Sequence, residues 1–197
     1  AINMYFDRDI AKLMVRTQNR PLVTGALTPR AAMIFAIALE FVAFLVLWAG
    51  ANLLAAVLAV SATLFYVFVY SLWLKRTSKQ NIVIGGAAGA MPVLVGWAAV
   101  TNSLGWAPVV LFVVIFLWTP PHFWALAIRH ADDYKAAGVP MMPVVVSLER
   151  TVRSMTTYAV LLTLSTLVLV PVAELGWIYG ITALVFGVAF VIGSVRL

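Results

Sequence analysis

The chain has 197 residues, of which 64% are hydrophobic and only 10% charged, with a net charge of +6 and no cysteine. A mean hydropathy of +1.05 excludes an ordinary soluble domain, and the missing cysteines exclude disulfides, thiolate nucleophiles and Cys-based metal sites. The positive charge is not a nucleic-acid footprint, because it lies in bands at the ends of apolar stretches rather than on one polar face.

The chain opens on a polar segment, Ala1 to Arg30, that carries Arg8, Lys12, Arg16, Arg20 and Arg30. Six apolar stretches follow, at about 31–50, 53–74, 82–101, 107–128, 154–173 and 177–195. Each matches the roughly 20 residues a helix needs to cross a hydrocarbon core. The runs are continuous rather than alternating, which predicts helices and not a barrel. All thirteen Lys and Arg residues fall on alternate connections. Short Lys/Arg-rich loops stay on the cytoplasmic face, so the pattern predicts an all-α, polytopic transmembrane bundle with its polar chemistry on the cytoplasmic side. The first residue lies inside a polar motif and the last span has no tail, so the chain reads as one membrane domain, 1–197, cut from a longer protein with spans missing at both ends.

Within the opening segment, Asn3 and Asp7 are four residues apart and share a helix face, so both oxygens can point at one ligand. Hard cations such as Mg2+ take oxygen ligands, usually one or two carboxylates plus substrate phosphates. Arg16 and Arg20 are also four apart and suit phosphate oxygens. The plain alternative is a helix end at the membrane surface with solvated ion pairs. The second connection holds Lys75, Arg76 and Lys79 and leads through Asn81 into a Gly- and Ala-rich helix start. A helix N-terminus favours phosphate, although small residues serve close helix packing more often and the cations serve topology.

The fourth stretch ends Trp118-Thr-Pro-Pro-His122-Phe-Trp124. Two prolines predict a break or kink there, and an imidazole flanked by tryptophans suits a flat aromatic ligand or a metal; packing is the commoner role of a lone His. The adjacent Asp132 and Asp133 repel one another unless a cation neutralises them, which predicts a divalent metal. Glu40 lies alone inside the first apolar stretch, and the sequence offers it no partner.

These segments resemble a known family. Asp7-Arg-Asp9-Ile with Arg16-Thr-x-x-Arg20-Pro-Leu-Val, Leu74-Lys-Arg-Thr-x-x-x-Asn81, Trp118-Thr-Pro-Pro-His-Phe-Trp and Asp132-Asp-Tyr-x-x-Ala-Gly-Val-Pro-Met are similar to the protohaem IX farnesyltransferase (haem O synthase) family. Asn3-x-x-x-Asp7 resembles the signature of the wider UbiA-type intramembrane prenyltransferases. The resemblance implies transfer of a farnesyl group from farnesyl diphosphate to a vinyl group of haem b, with addition of water. It implies Mg2+ as cofactor, held by Asn3, Asp7, Asp9, Asp132 and Asp133. Asp7, Asp133, Arg16 and Lys75 become the catalytic candidates. Asn3, Arg20, Arg76, Asn81, His122, Trp118, Trp124, Tyr134 and Lys135 become the substrate-binding ones, with His122 a candidate to ligate the haem iron or orient the ring. The sequence departs from the pattern at Ala11, where the family usually has a further Asp, and at Arg129, where the superfamily often has another. A bacterial plasma membrane is the simplest location, with the mitochondrial inner membrane as the alternative, and haem A synthase or oxidase assembly proteins are candidate partners. Two other readings stay open: a related prenyltransferase with a quinone-type acceptor, and a transporter, which would place its polar groups near the midplane rather than at one face.

Overall fold

The computed structural model describes residues 2–197. Short polar helices α1 (Ile2–Phe6), α2 (Arg8–Leu13) and α3 (Pro21–Thr24) precede the first long helix, α4 (Pro29–Gly50). Helix α5 (Leu53–Leu64) continues without interruption into a π-helical segment, Phe65–Leu74, and the single turn α6 (Lys75–Thr77). Then come α7 (Asn81–Thr101), α8 (Trp106–Arg129), the short α9 (Ala131–Ala136) and α10 (Met142–Val145), α11 (Leu148–Val172) and α12 (Trp177–Val195). Six of these units, with α5 to α6 counted as one, are long and apolar enough to cross a membrane.

Helix starts follow local chemistry. The Thr28 hydroxyl accepts from Ala31 N at 3.3 Å, with Pro29 at the first helical position. Asn52 caps α5 through Ala55 N at 2.9 Å, while its amide nitrogen donates to Ala98 O at 2.7 Å and so ties the start of α5 to the end of α7. Helix α11 begins six residues before the apolar stretch. Ser147 caps it, and an Arg153–Glu149 ion pair at 3.0 Å spans its first exposed turn.

Consecutive spans lie against each other, α4 on α5, α5 on α7, α7 on α8, α8 on α11 and α11 on α12. Alanines fill the seams: Ala55, Ala56, Ala90, Ala98 and Ala159 are all fully buried, which lets backbones approach in a medium where apolar burial offers no drive. The outer faces are apolar, with Trp106 78% and Trp177 74% exposed at the non-basic ends of their spans, where amphipathic rings meet the interface. Glu40 does have a partner: Thr63 Oγ1 donates to its Oε2 at 3.2 Å, near the middle of the first two spans, Pro29–Gly50 and Leu53–Thr77.

The expected break at Pro120-Pro121 does not occur. Helix α8 runs through both prolines, which are fully buried. Thr119 Oγ1 donates to Ile115 O at 2.9 Å, and α7 and α11 flank the helix, the kind of support by which membrane helices tolerate proline.

The buried core lies at the basic end. Ile10 and Met14 from α2 and its following turn, Ile82 from α7, Trp124 and Ala127 from α8, Met155 from α11 and Val139, Met141 and Met142 from the α9–α10 connection form one cluster. The connecting segments thus fold back onto the helix ends and form a lid of side chains there.

Candidate functional site

A cavity of about 260 Å3 opens at this basic end. Its wall is built from α1 and α2, the turn that follows them, the π segment, and the α9–α10 connection. Asn3 and Asp7 face it one turn apart, as their backbone bond (Asp7 N to Asn3 O, 2.9 Å) requires. Arg16 and Arg20 line it from the turn between α2 and α3, which Thr17 braces by donating to Ala11 O at 2.8 Å. Tyr66, Tyr70 and Lys75 line it from the π segment and α6, Phe123 from α8, and Tyr134 from α9.

The π segment explains why those three residues share a wall. Nine residues separate Tyr66 from Lys75, about two and a half turns of α-helix, which would put them on opposite faces. The wider π winding takes roughly two turns over the same stretch and brings them into line. The two tyrosine rings lie 5.3 Å apart at 31°. Gly85 on α7 makes room for Tyr70, since a Cβ there would run into the ring.

Asp7 is the buried carboxylate of the site, with its side chain 6% exposed. One oxygen is held by Lys75 Nζ, and Arg76 Nη2 lies 3.9 Å from the other. Asp7 Oδ1 and Asn3 Oδ1 are both buried without a hydrogen-bond partner. Two unpartnered oxygens on neighbouring residues of one cavity wall fit a hard divalent cation, which takes one or two protein oxygens and completes its shell with phosphate and water. Among the described residues, Arg16 and Arg20 have no carboxylate within 4.0 Å. Three cationic side chains against one carboxylate make the cavity a site for an anion.

Other candidates lie elsewhere. Asp9 is exposed outside the cavity and clasped by Arg76, Nη1 to Oδ2 at 2.6 Å and Nη2 to Oδ1 at 2.8 Å. Those hydrogen bonds hold its carboxyl down to about 2. The same guanidinium donates to Phe6 O at 2.9 Å, so Arg76 staples the first segment to α6 instead of lining the cavity. Asp132 is exposed and Asp133 half-buried on α9; that helix turns Tyr134, not its aspartates, toward the cavity. Lys135 is exposed. No group of three His, Asp or Glu side chains able to hold a metal occurs among the described residues. Asn81 is fully buried with both side-chain polar atoms unpaired, and it does not line the cavity.

The two tryptophans part company. Trp118 stacks on His122, centroids 4.2 Å apart at 15°, on the outer side of α8. His122 meets Phe123 edge-on at 5.3 Å, and Phe123 reaches the cavity. A ring of aromatics therefore leads from the exposed face of α8 to the anion site. Trp124, 1% exposed, points the other way and packs edge-on against Tyr158 at 5.7 Å. Residue spacing accounts for the split: Trp118 and His122 are four apart and share a face, whereas Trp124 is six from Trp118. Tyr66, Tyr70 and Phe123 were not singled out from sequence, because an α-helical period sets the tyrosines against Lys75. Ala11 puts only a buried methyl on the cavity wall.

Comparison with known proteins agrees in family. The relatives include proteins named protoheme IX farnesyltransferase from Gloeobacter violaceus, 54% identical over 197 residues, from Parafrankia sp., 53% over 196, and from Kineococcus radiotolerans, 51% over 196. Each alignment covers 100% of this chain and 65%, 63% and 58% of the relative, so the chain spans roughly three-fifths of the length of the curated relatives it matches. No solved structure matches it. The model of the UbiA prenyltransferase family matches residues 1–197, its entire length, and the chain belongs to that family.

Proposed function

We propose that this chain carries the active site of a Mg2+-dependent enzyme that transfers a farnesyl group from farnesyl diphosphate to a vinyl group of haem b. The observation that carries the reading is a cavity lined by Asn3, Asp7, Arg16, Arg20 and Lys75, in which the buried Oδ1 atoms of Asn3 and Asp7 have no hydrogen-bond partner. Such a site takes a diphosphate and a divalent cation together. The relatives named for protohaem IX supply the acceptor.

Arg16 and Arg20 bind the diphosphate bidentately at the mouth, and Lys75 meets it beside Asp7. Asn3 and Asp7 would hold the metal through their unpartnered oxygens, while Asp133 lies outside the cavity lining. A divalent cation held there would supply neutralisation of the charge that grows on the leaving diphosphate. The C1–O bond of the farnesyl group breaks, and its electron pair departs with diphosphate onto these preorganised cations. Tyr66, Tyr70 and Phe123 present ring faces to the allylic cation that remains. A haem vinyl carbon forms the new C–C bond, and water adds to the resulting cation and releases a proton to solvent, giving a hydroxyethylfarnesyl substituent. The partly exposed Trp118–His122 stack would offer the haem plane an aromatic face next to the cavity residue Phe123. The apolar spans sit in a bacterial plasma membrane with the basic end cytoplasmic.

The test uses the purified chain in lipid nanodiscs with haem b, farnesyl diphosphate and Mg2+, and follows haem by mass. The expected result is a Mg2+-dependent gain of farnesyl plus water that disappears in Asp7→Ala and in Arg16→Ala. Prenylation of a quinone precursor with haem untouched would overturn the acceptor. No diphosphate release with either acceptor would overturn the reading as a whole.

A further inference from the structure

An asparagine offers a metal either an oxygen or an NH2 group, and a half-turn of its amide decides which. At Asn3 the amide nitrogen donates to the hydroxyl oxygen of Tyr66, sixty-three residues away, and Oδ1 is left buried and unpartnered, as is the Oδ1 of Asp7 one helical turn further on. Were the amide reversed, the tyrosine hydroxyl could still bond it, by donating to the oxygen, but NH2 would then face the metal. The orientation with NH2 on Tyr66 is the one a cation demands, and only an oxygen at that place accepts those protons. Ligand-orienting partners of this kind are worth about ten- to a hundredfold in metal affinity.

We propose that Tyr66 is a positioning residue that locks the Asn3 amide with its oxygen toward the divalent cation. This rests on the metal reading above and deepens it. The register is set by the π segment, which brings Tyr66 onto the cavity wall together with Tyr70 and Lys75. The tyrosine acts through its hydroxyl: its ring is already packed against that of Tyr70, so Tyr66→Phe keeps the aromatic contact and removes the acceptor.

The experiment is a Mn2+ titration by electron paramagnetic resonance on the purified chain with inorganic diphosphate present and neither haem nor farnesyl diphosphate. It compares wild type, Tyr66→Phe, Asn3→Asp and the double variant. A carboxylate has two equivalent oxygens and needs no orienting partner. Tyr66→Phe should therefore weaken Mn2+ binding by about ten- to a hundredfold in the wild-type background, and should leave the affinity unchanged in the Asn3→Asp background. Equal binding by wild type and Tyr66→Phe would overturn the proposal while the metal site stands. An equal loss in both backgrounds would also overturn it, because that outcome marks a packing defect rather than amide orientation. Absence of any Mn2+ binding by wild type would remove the metal reading, and this inference with it.

Discussion

The ion pair between Lys75 and Asp7 joins the opening segment to the far end of the second span, and removing one partner should expose how much that junction contributes. In Lys75→Met the carboxylate of Asp7, 6% exposed, keeps only Arg76, whose nearest nitrogen is 3.9 Å away and whose guanidinium is already clasped by Asp9. A fully buried pair that loses one member costs about 3–5 kcal/mol, and an exposed pair about 0–1 kcal/mol. The Lys75 side chain is 18% exposed at the edge of an open cavity and Arg76 remains nearby, which puts the expected loss between those limits, at about 2–3 kcal/mol. Asp7→Asn removes the charge instead and leaves the lysine free to reach water, so it should cost less. The double variant should lie closer to Asp7→Asn than to the sum of the two, a coupling of at least about 1 kcal/mol. Reversible unfolding in mixed micelles, wild type and three variants side by side, measures the cycle. Additive losses would refute the reasoning, because they would mean that Asp7 is already hydrated and that the pair is an incidental contact.

Asp9 predicts a pH effect whose sign follows from its lowered carboxyl. The group sits at about 2 in the fold against 3.8 for the free side chain, so its stabilising contribution is present above about pH 4 and is lost as pH falls through 2. The stability gap between wild type and Asp9→Asn should accordingly be constant at neutral pH and close below pH 4, as measured by unfolding at stepped pH. Gly85→Ala drives a methyl against the Tyr70 ring, and overpacking of that kind should cost about 1–3 kcal/mol by thermal unfolding. Ala11→Asp sets a second carboxylate on the cavity wall. It should tighten Mn2+ binding by roughly tenfold, since ligand charge is what tunes such sites.

Hydropathy and charge were enough to read the membrane architecture, because lipid leaves helices few alternatives: the observed spans begin and end within about three residues of the expected ones, with one exception. That exception, the start of α11, lies in a polar sequence where a serine cap and an i,i+4 ion pair extend the helix beyond its apolar part. Less of the site was legible. Charge chemistry and helix spacing nominate Asn3, Asp7, Arg16 and Arg20, polar residues at span ends, whereas Lys75 reads first as a topology signal and joins the catalytic set through the family resemblance. Tyr66 and Tyr70 look like lipid-facing aromatics until the helix winds wider than 3.6 residues per turn, and no residue in Phe65–Leu74 announces that change. Trp124 and Asn81 were nominated by their motifs, yet both side chains turn into the core. A motif fixes which residues are near one another in sequence; the helix phase decides which of them face the cavity.

The distribution of burial bears on how such a site stays rigid in a fluid solvent. In the outer spans α4 and α12 only 11% and 6% of the apolar window is buried, and lipid tails offer those faces no better partner than one another. The interlocked side chains gather instead where α2, α8, α11 and the α9–α10 connection meet, and five of them, Ile10, Met14, Ile82, Val139 and Met141, also line the cavity. There water is the alternative solvent, apolar burial drives packing at about 25 cal/mol per Å2, and ion pairs such as Lys75–Asp7 and Arg76–Asp9 can join separate connections. The basic end of the molecule is thus held by the physics of a soluble protein, and the membrane helices hold its parts in register. Substitutions among the lipid-facing residues of α4 should then leave the cavity geometry intact, whereas a single truncation in the cluster, Met155→Ala for instance, should loosen the cavity without touching any residue that lines it.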